Sequence, residues 1–410
     1  MTVRERTVDV LVVGAGPAGL GAGAELAASG VGRVEILERE QAAGGVPRHC
    51  FHGGFGAGRA GGRLTGPAYA RRCVAAAVRA GALLRTGVTV TGWAGPRTVD
   101  VTGPTGLERI TARAVVLATG ARERPRSARL VPGTRPPGVY TTGELQQAVH
   151  LYRQPIGTRA VVIGNEAVGH PAADTLRAAG VDVVALVTDQ PPSPLARVPR
   201  ARRRTPLLTR TTVTSVVGRE RLTGVGLRHH DGRTMTLPCD TVVFTGDWIP
   251  DHELARRGGL TMDPGTRGPA YDPAYRTSEA GVFAVGNLLH AVESAGTAAA
   301  EGRAVAAPVV RRLAAGGWPT GRPELAVASP LEWIAPNLLD HDTTRPLHDR
   351  FILRTARRLP CPLLVVGQDG HVLHRQRLLL PAVPDRPFRL RADWLDRVDP
   401  HGGTVRIAVL

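Results

Sequence analysis

Short apolar runs closed by glycine, each followed by a small-residue or amphipathic stretch, recur along this chain. Residues 8–13, VDVLVV, are mostly β-branched and apolar, the composition of a strand buried on both faces. Residues 20–30 then read as a small-residue helix, residues 33–37 (RVEIL) as a second strand, and residues 71–82 as a further helix. Residues 112–120, ARAVVLATG, are another apolar strand, ending in small residues that let a backbone lie against a flat ligand. From residue 160 the opening theme returns, with RAVVIG, a glycine turn, a helix to Gly180 and the strand VDVVALV. Residues 212–243 alternate as short strands around turns at Gly218 and His230-Asp231-Gly232. Residues 282–285 are a strand followed by the turn Gly286-Asn287, and the small residues from Ser294 read as a close-packing helix that starts near Ala291, with Glu293 and Ser294 at its start and Ser294 suited to cap it. Strands CPLLVV, HVLHRQRLLL and TVRIAVL mark a separate tail over residues 325–410. Buried strands alternating with helices predict an α/β fold built on parallel sheets.

The first strand and helix are joined by Gly14, Gly16 and Gly19, at the spacing G-x-G-x-x-G. In that setting the first glycine allows the tight turn, the second lets a pyrophosphate approach the backbone, and the third lets helix pack on strand. The free N–H groups and the positive end of the helix then face the phosphates. Glu38 ends the second strand nineteen residues after Gly19 (38 − 19), where a carboxylate accepts the hydroxyls of an unphosphorylated ribose. The second copy is imperfect. Gly164 and Gly169 match the first and third glycines, but Glu166 stands at the second, adding bulk and like charge where a pyrophosphate would lie. A nucleotide there would find Asp189 one residue late for its ribose, while Arg197, Arg200, Arg202, Arg203 and Arg204 are placed to meet a 2′-phosphate.

Composition narrows the function classes. The length of 410 residues predicts two or three domains, and no apolar run approaches the roughly 20 residues of a membrane span. No secretory pattern precedes the first strand, so a cytoplasmic protein is expected. The net charge of +17 comes entirely from arginine, because the chain has no lysine. The dense run RARRR at residues 200–204 has no interleaved aromatics to stack bases, and a solvated face explains it better than nucleic acid. Absence of lysine excludes a lysine Schiff base and a Walker lysine. Cys50, Cys73, Cys239 and Cys361 are too scattered for a CxxC motif or a metal cluster, and no metal is expected.

The opening fingerprint with Glu38, the ATG strand end, the second βαβ unit and the segment GVFAVGN at residues 281–287 occur in the order seen in the pyridine nucleotide-disulfide oxidoreductase superfamily, which the chain resembles over roughly residues 7–311. The phrases ATGARERP at residues 118–125 and GVYTTGELQ at 138–146 look similar to the flavoprotein subunits of opine oxidase and hydrogen cyanide synthase. The resemblance implies two Rossmann-like dinucleotide-binding domains plus a small C-terminal domain. A FAD domain would span residues 1–150 and 270–315, an inserted NAD(P)-like domain 151–265, and the C-terminal domain 320–410.

It also implies site residues. Gly14, Gly16, Pro17, Ala18, Gly19, Glu38 and Arg39 would hold the ADP half of FAD, with Gly45, Arg48, Ala118, Thr119 and Gly120 along the cofactor. Gly286 and Asn287, the latter replacing the family's Asp, would meet the ribityl and phosphate region, and Glu293 would lie at the helix start facing the flavin. Gly164 and Gly169 would serve NAD(P)H. The family's C-x4-C pair is missing, since Gly44-Gly45 is followed by Cys50 alone. His49, Cys50 and His52 are the candidate catalytic groups, because the segment after Gly45 runs beneath the flavin in this fold and an imidazole, ordinarily titrating at about 6.5, can take a proton as hydride leaves. The expected function is hydride transfer between flavin N5 and a small amine, imine or hydroxy-acid substrate. The alternatives are an NAD(P)H-dependent reductase feeding a partner, or a flavin-bearing subunit whose catalytic centre lies on another chain.

Overall fold

The computed structural model describes residues 3–56, 64–192, 205–319, 321, 323–340 and 344–410. The chain divides into two compact units, one formed by Met1–Arg48, Gly54–Ala121 and Pro250–Leu410, the other by His49–Gly53 and Arg122–Ile249.

The first unit is organised on a seven-stranded sheet. Its parallel half runs Leu83–Thr86, Val34–Glu38, Arg4–Val13, Gly106–Leu117, and the hairpin Thr89–Gly95 with Thr98–Gly103 extends it antiparallel. Gly106–Leu117 pairs first with the hairpin and then, at Val115–Leu117, with the returning strand Val282–Ala284. That return brings residues 285–287 beside the end of the central strands. The helix Pro17–Ala28 starts three residues earlier than the apolar pattern suggests, because Pro17 lacks only an N–H that a first turn leaves unpaired anyway. Gly66–Arg79 likewise begins ahead of the expected residue 71, with Pro67 in its first turn. Leu11, Ile36, Leu117 and Phe283 are fully buried in the core of this sheet.

An alternating row of charge crosses the sheet away from the glycine turn. Glu35, fully buried, pairs with Arg6 and with Arg85 at 3.0 Å, and Glu108 pairs with Arg6 at 2.7 Å and Arg85 at 2.5 Å. Each of the four residues comes from a different neighbouring strand.

The C-terminal part of this unit adds two small sheets. Leu325–Val327, Val405–Val409, Leu363–Gln368 and His371–Arg377 form one, Leu331–Ala335, Arg350–Thr355 and Phe388–Arg391 the other. They enclose a second core, where the Trp394 and Phe351 rings stack 5.3 Å apart.

The second unit carries a five-stranded parallel sheet, Leu207–Leu208, Asp182–Val187, Arg159–Ile163, Thr241–Phe244, Val139–Thr141. With the helices Thr142–His150 and Gly169–Ala178 and an antiparallel three-stranded sheet (Thr211–Gly218, Leu222–His229, Thr234–Pro238) it is a second Rossmann-like dinucleotide-binding domain. Arg197, Arg200, Arg202, Arg203 and Arg204 lie outside the described residues. No helix among the described residues is long and apolar enough to cross a membrane.

Candidate active site

In the first unit the glycine turn has the geometry of a phosphate cradle. A Cβ on Gly14, whose φ is +105°, would stand 2.4 Å from the Ala118 carbonyl oxygen, and one on Gly19 only 1.8 Å from that of Gly14. Both positions are therefore closed to side chains. At Gly16 a Cβ would meet nothing within 4 Å among the described residues, so the space before the helix N-terminus is open to them. Gly16 is also the N-cap residue, and among the described residues no side chain caps the helix start. An anion is the partner such a terminus favours.

The other cofactor candidates of this unit converge on that turn. Glu38 is buried, its Oε2 accepting the Ala15 N–H at 3.0 Å and its Oε1 the Glu40 N–H at 3.0 Å. A carboxylate offers about four acceptor sites, so both oxygens keep capacity for ribose hydroxyls. Gly44 donates its N–H to Ala15 at 2.9 Å, and Gly45 lies so near Gly16 that a Cβ there would be 2.9 Å from the Gly16 Cα. Ala118 donates to Val13 at 2.8 Å, which holds the small Ala118-Thr119-Gly120 end beside the turn. The Thr119 hydroxyl donates to the Asp251 carbonyl at 2.7 Å, the Asp251 N–H donates to the Gly120 carbonyl at 2.9 Å, and Arg39 reaches the Asp251 carboxylate at 3.3 Å. Arg48 lines a groove of about 630 Å³ with Ala43, Ala70, Val74 and Leu84. Ala18 touches the returning segment, since a Cβ on Gly286 would lie 2.6 Å from its methyl carbon.

Past Gly286 the helix expected on the small residues from Ser294 is present, but its start near Ala291 is corrected. The helix is Ala295–Ala304, and Ser294 is its N-cap, accepting the Thr297 N–H at 3.1 Å. Serine fixes the start because its side chain satisfies one of the orphan donors. Asn287 bridges the intervening loop, its Oδ1 accepting the Glu293 N–H at 2.8 Å and its Nδ2 donating to the Glu293 carbonyl at 3.3 Å. The Glu293 carboxyl is buried and pushed up by that burial.

Two residues that sequence reading passed over complete this loop. Glu301 accepts the Gly286 N–H at 3.0 Å through Oε2, and its Oε1 lies 2.9 Å from Nε2 of the fully buried His290. Burial opposes charge on His290, but the adjacent Glu301 carboxylate, together with Glu293, outweighs it and holds the imidazole above its usual range. A single carboxylate in the stretch AGTAAAEGRA was the available signal.

The catalytic candidates lie in the second unit. His49 and Cys50 are buried, and the Cys50 thiol donates to Oε1 of Gln146 at 3.2 Å. Burial, aided by the nearby Glu123, pushes that thiol up to about 12, so it is not a thiolate at neutral pH. His52 is half-buried, with Nδ1 2.9 Å from the Gly53 carbonyl oxygen. Glu123 is a further buried carboxyl, raised by desolvation to about 7 even though its Oε2 accepts the Gly143 N–H at 2.7 Å. No sequence pattern announced it, because its significance comes from burial.

Glu123 gives a pH signature. A folded-state pKa of about 7 against an ordinary 4.5 means the folded protein holds this proton more tightly than the unfolded chain. Its contribution to stability therefore falls as pH rises from about 4.5 to 7 and is level above that, by on the order of 3 kcal/mol in total. Glu123→Gln should remove this slope and raise Tm at pH 8 more than at pH 5; parallel Tm–pH curves for the two proteins would refute the assignment.

Gly164 and Gly169 stand in the second unit at the matching strand–turn–helix junction, with Glu166 between them. Among the described residues no group of three or more His, Cys, Asp or Glu could hold a metal ion.

A family model described as pyridine nucleotide-disulphide oxidoreductase matches residues 8–302. The alpha chain of sarcosine oxidase from Rhizobium meliloti is 32% identical over 217 residues, covering 50% of this chain and 20% of that one. An opine oxidase subunit from Agrobacterium tumefaciens is 28% identical over 354 residues, covering 77% and 67%. The chain thus spans about a fifth of the length of the first relative and two thirds of the second. Among solved structures, a thioredoxin reductase from T. acidophilum superposes with TM-score 0.62 at 23% identity, covering 74% of this chain and 98% of that one. L-proline dehydrogenase from P. horikoshii gives TM-score 0.60 at 20% identity, covering 78% and 58%. Both likenesses are likenesses of fold.

Proposed function

The chain belongs to the pyridine nucleotide-disulphide oxidoreductase family and is a FAD-dependent oxidoreductase, and we propose that its substrate is a small amine, imine or hydroxy acid. The observation that carries the cofactor is the open space at Gly16 between two glycines whose side-chain positions are closed. When bound, the flavin supplies a two-electron hydride acceptor at N5. In this reading the helix Pro17–Ala28 turns its N-terminus to the pyrophosphate, Glu38 takes the ribose hydroxyls, and Gly286-Asn287 faces the ribityl chain. Gly45, Arg48, Ala118, Thr119, Gly120 and Glu293 complete the proposed cofactor contacts.

Two observations favour an organic substrate over a disulfide. Cys50 stands without a C-x4-C partner after Gly44-Gly45, and its buried thiol at about 12 cannot run a dithiol relay. The relatives named for sarcosine and opines act, by their names, on N-substituted amino acids. Loss of hydride from a C–N bond asks a nearby group to take the amine proton, and His49 and His52 are the proposed acceptors, with Cys50 as a hydrogen-bond donor that orders Gln146. Both relatives are named as subunits, which supports a partner chain or a separate electron acceptor.

Purified protein should show the visible bands of bound flavin, and an N-methyl amino acid added without oxygen should bleach them. A colourless protein that also takes up no added FAD would sink this reading. Turnover of the single chain with an artificial dye acceptor would show that no partner is needed for the reductive step.

A further inference from the structure

The dinucleotide turn occurs twice in this chain, and the two copies are built differently at one position. In the first, the middle residue is Gly16, nothing stands within 4 Å of where its side chain would begin, and the helix starts at the next residue, Pro17. In the second, the middle residue is Glu166 and the helix starts only at Gly169, three residues on. Residues 166–168 form a bend and turn instead of the opening of a helix. The N–H groups that a pyrophosphate would use are therefore drawn back along the chain.

The Glu166 carboxylate does not swing out to solvent. Its Oε2 lies 2.6 Å from the Thr245 hydroxyl. It is wedged between two backbone segments that only glycine permits, since a Cβ on Gly164 would be 2.4 Å from Oε2 and one on Gly246 2.9 Å from Oε1. Positive charge is supplied from within the same unit. The Arg129 guanidinium donates to the carbonyl oxygens of Thr245 at 3.1 Å and Gly246 at 2.7 Å, lies 5.5 Å from the centre of the Phe244 ring, and is attracted by the Glu166 carboxylate. Burial lowers the Arg129 pKa, and the carboxylates around it offset part of that cost.

We propose that Glu166 is a built-in anion that closes the phosphate turn of the second dinucleotide-binding domain, so that this chain does not take reducing equivalents from NADH or NADPH. The residues of this turn do not fit the nucleotide that the fold family implies. A bound pyrophosphate would have to displace the carboxylate from Thr245 and Gly164 and then sit beside it. With that route closed, electrons enter from the organic substrate alone. The inference deepens the functional reading by excluding a nicotinamide donor, but its direct test does not depend on the flavin.

Calorimetric titration of the full-length protein with NADPH, and separately with NADH, reads the turn itself. The wild type should bind neither at millimolar nucleotide. Glu166→Ala removes the carboxylate without adding backbone freedom, and Glu166→Gly restores the fingerprint; each should bind at least one nucleotide at least about tenfold more tightly than the wild type. Glu166→Gln keeps the bulk and the Thr245 partner while removing the charge, so it should gain binding too; gains in the Ala and Gly variants with none in Gln would overturn closure by an anion in favour of plain volume. Micromolar binding of either nucleotide by the wild type, or no gain in both the Ala and Gly variants, overturns the proposal. A protein that binds no FAD would count against the cofactor reading and leave this titration standing.

Discussion

Gly16→Glu should give a folded protein that has lost FAD. The substitution copies into the first turn the residue that the second turn already carries at Glu166. Backbone geometry allows it, because Gly16 has φ −77° and ψ −177°, an extended conformation open to any residue, and its Cβ would meet nothing within 4 Å. Stability should change by less than about 1 kcal/mol, as for substitutions that neither clash nor bury a polar group. Cofactor affinity should collapse. A carboxylate about 4 Å from a pyrophosphate charge costs about 4 kcal/mol at an effective dielectric constant near 20, equivalent to roughly a thousandfold in affinity. The ratio of flavin to protein absorbance reads the loss, and far-ultraviolet circular dichroism reads the fold. Gly19→Ala is the contrasting variant, since its Cβ would sit 1.8 Å from the Gly14 carbonyl oxygen and the helix would have to move off the strand. It should lose stability and flavin together. A Gly16→Glu protein that stays yellow at full stoichiometry would remove the cradle from the account.

What the sequence displayed was whatever is local. A buried strand, three glycines, a helix and a terminal Glu38 occupy one contiguous stretch, and each residue's role follows from its neighbours along the chain. The same held for the second copy and for Glu166, whose misfit is visible as one letter at one spacing. Its pairing with Thr245, seventy-nine residues away, was not visible, because it depends on the strand Thr241–Phe244 lying next to Arg159–Ile163. The charge row of Arg6, Glu35, Arg85 and Glu108 was hidden for the same reason. Glu35 sits inside VEILE, every residue of which is buried, and only the strand order reveals what compensates it. Glu123 and Cys50 became informative through burial, which shifts both groups upward and which no local pattern reports. The small residues from Ser294 marked the helix Ala295–Ala304 locally, with Ser294 as its cap, whereas the earlier start near Ala291 did not hold because LLHAVE before Ser294 carries no cap of its own.

Glu301→Ala should cost both stability and flavin, and it is the variant expected to damage the molecule most. Glu301 makes two buried contacts at once, with the Gly286 N–H and with the His290 imidazole, and both partners have nowhere else to turn for solvent. Removing one member of a buried ionic pair typically costs about 3–5 kcal/mol, because the group left behind is neither solvated nor compensated. The helix that carries Glu301 also cannot shift to compensate. A Cβ on Gly302 would stand 2.0 Å from the Ala18 carbonyl oxygen, so Ala295–Ala304 is already in backbone contact with Pro17–Ala28. The freed Gly286 turn is one of the segments proposed to hold the ribityl chain, so cofactor retention should fall in step with stability. The pH dependence gives a readout that mere loss of packing would not. With Glu301 present, His290 is held above its usual range, so the pair contributes stability that is complete below an imidazole's ordinary pKa of about 6.5 and is lost as pH rises through the raised value. Without Glu301, burial, helped by Arg354, outweighs the weaker pull of Glu293, the His290 pKa moves below the ordinary value, and the sign of that contribution reverses. The Tm difference between wild type and Glu301→Ala should therefore be larger at pH 6 than at pH 9. Glu301→Gln, which still offers an oxygen to Gly286, should lose less than the alanine variant at every pH. A Tm difference that is the same at both ends of the range would reduce Glu301 to a packing residue and leave Gly286 to be positioned by its contact with Ala18.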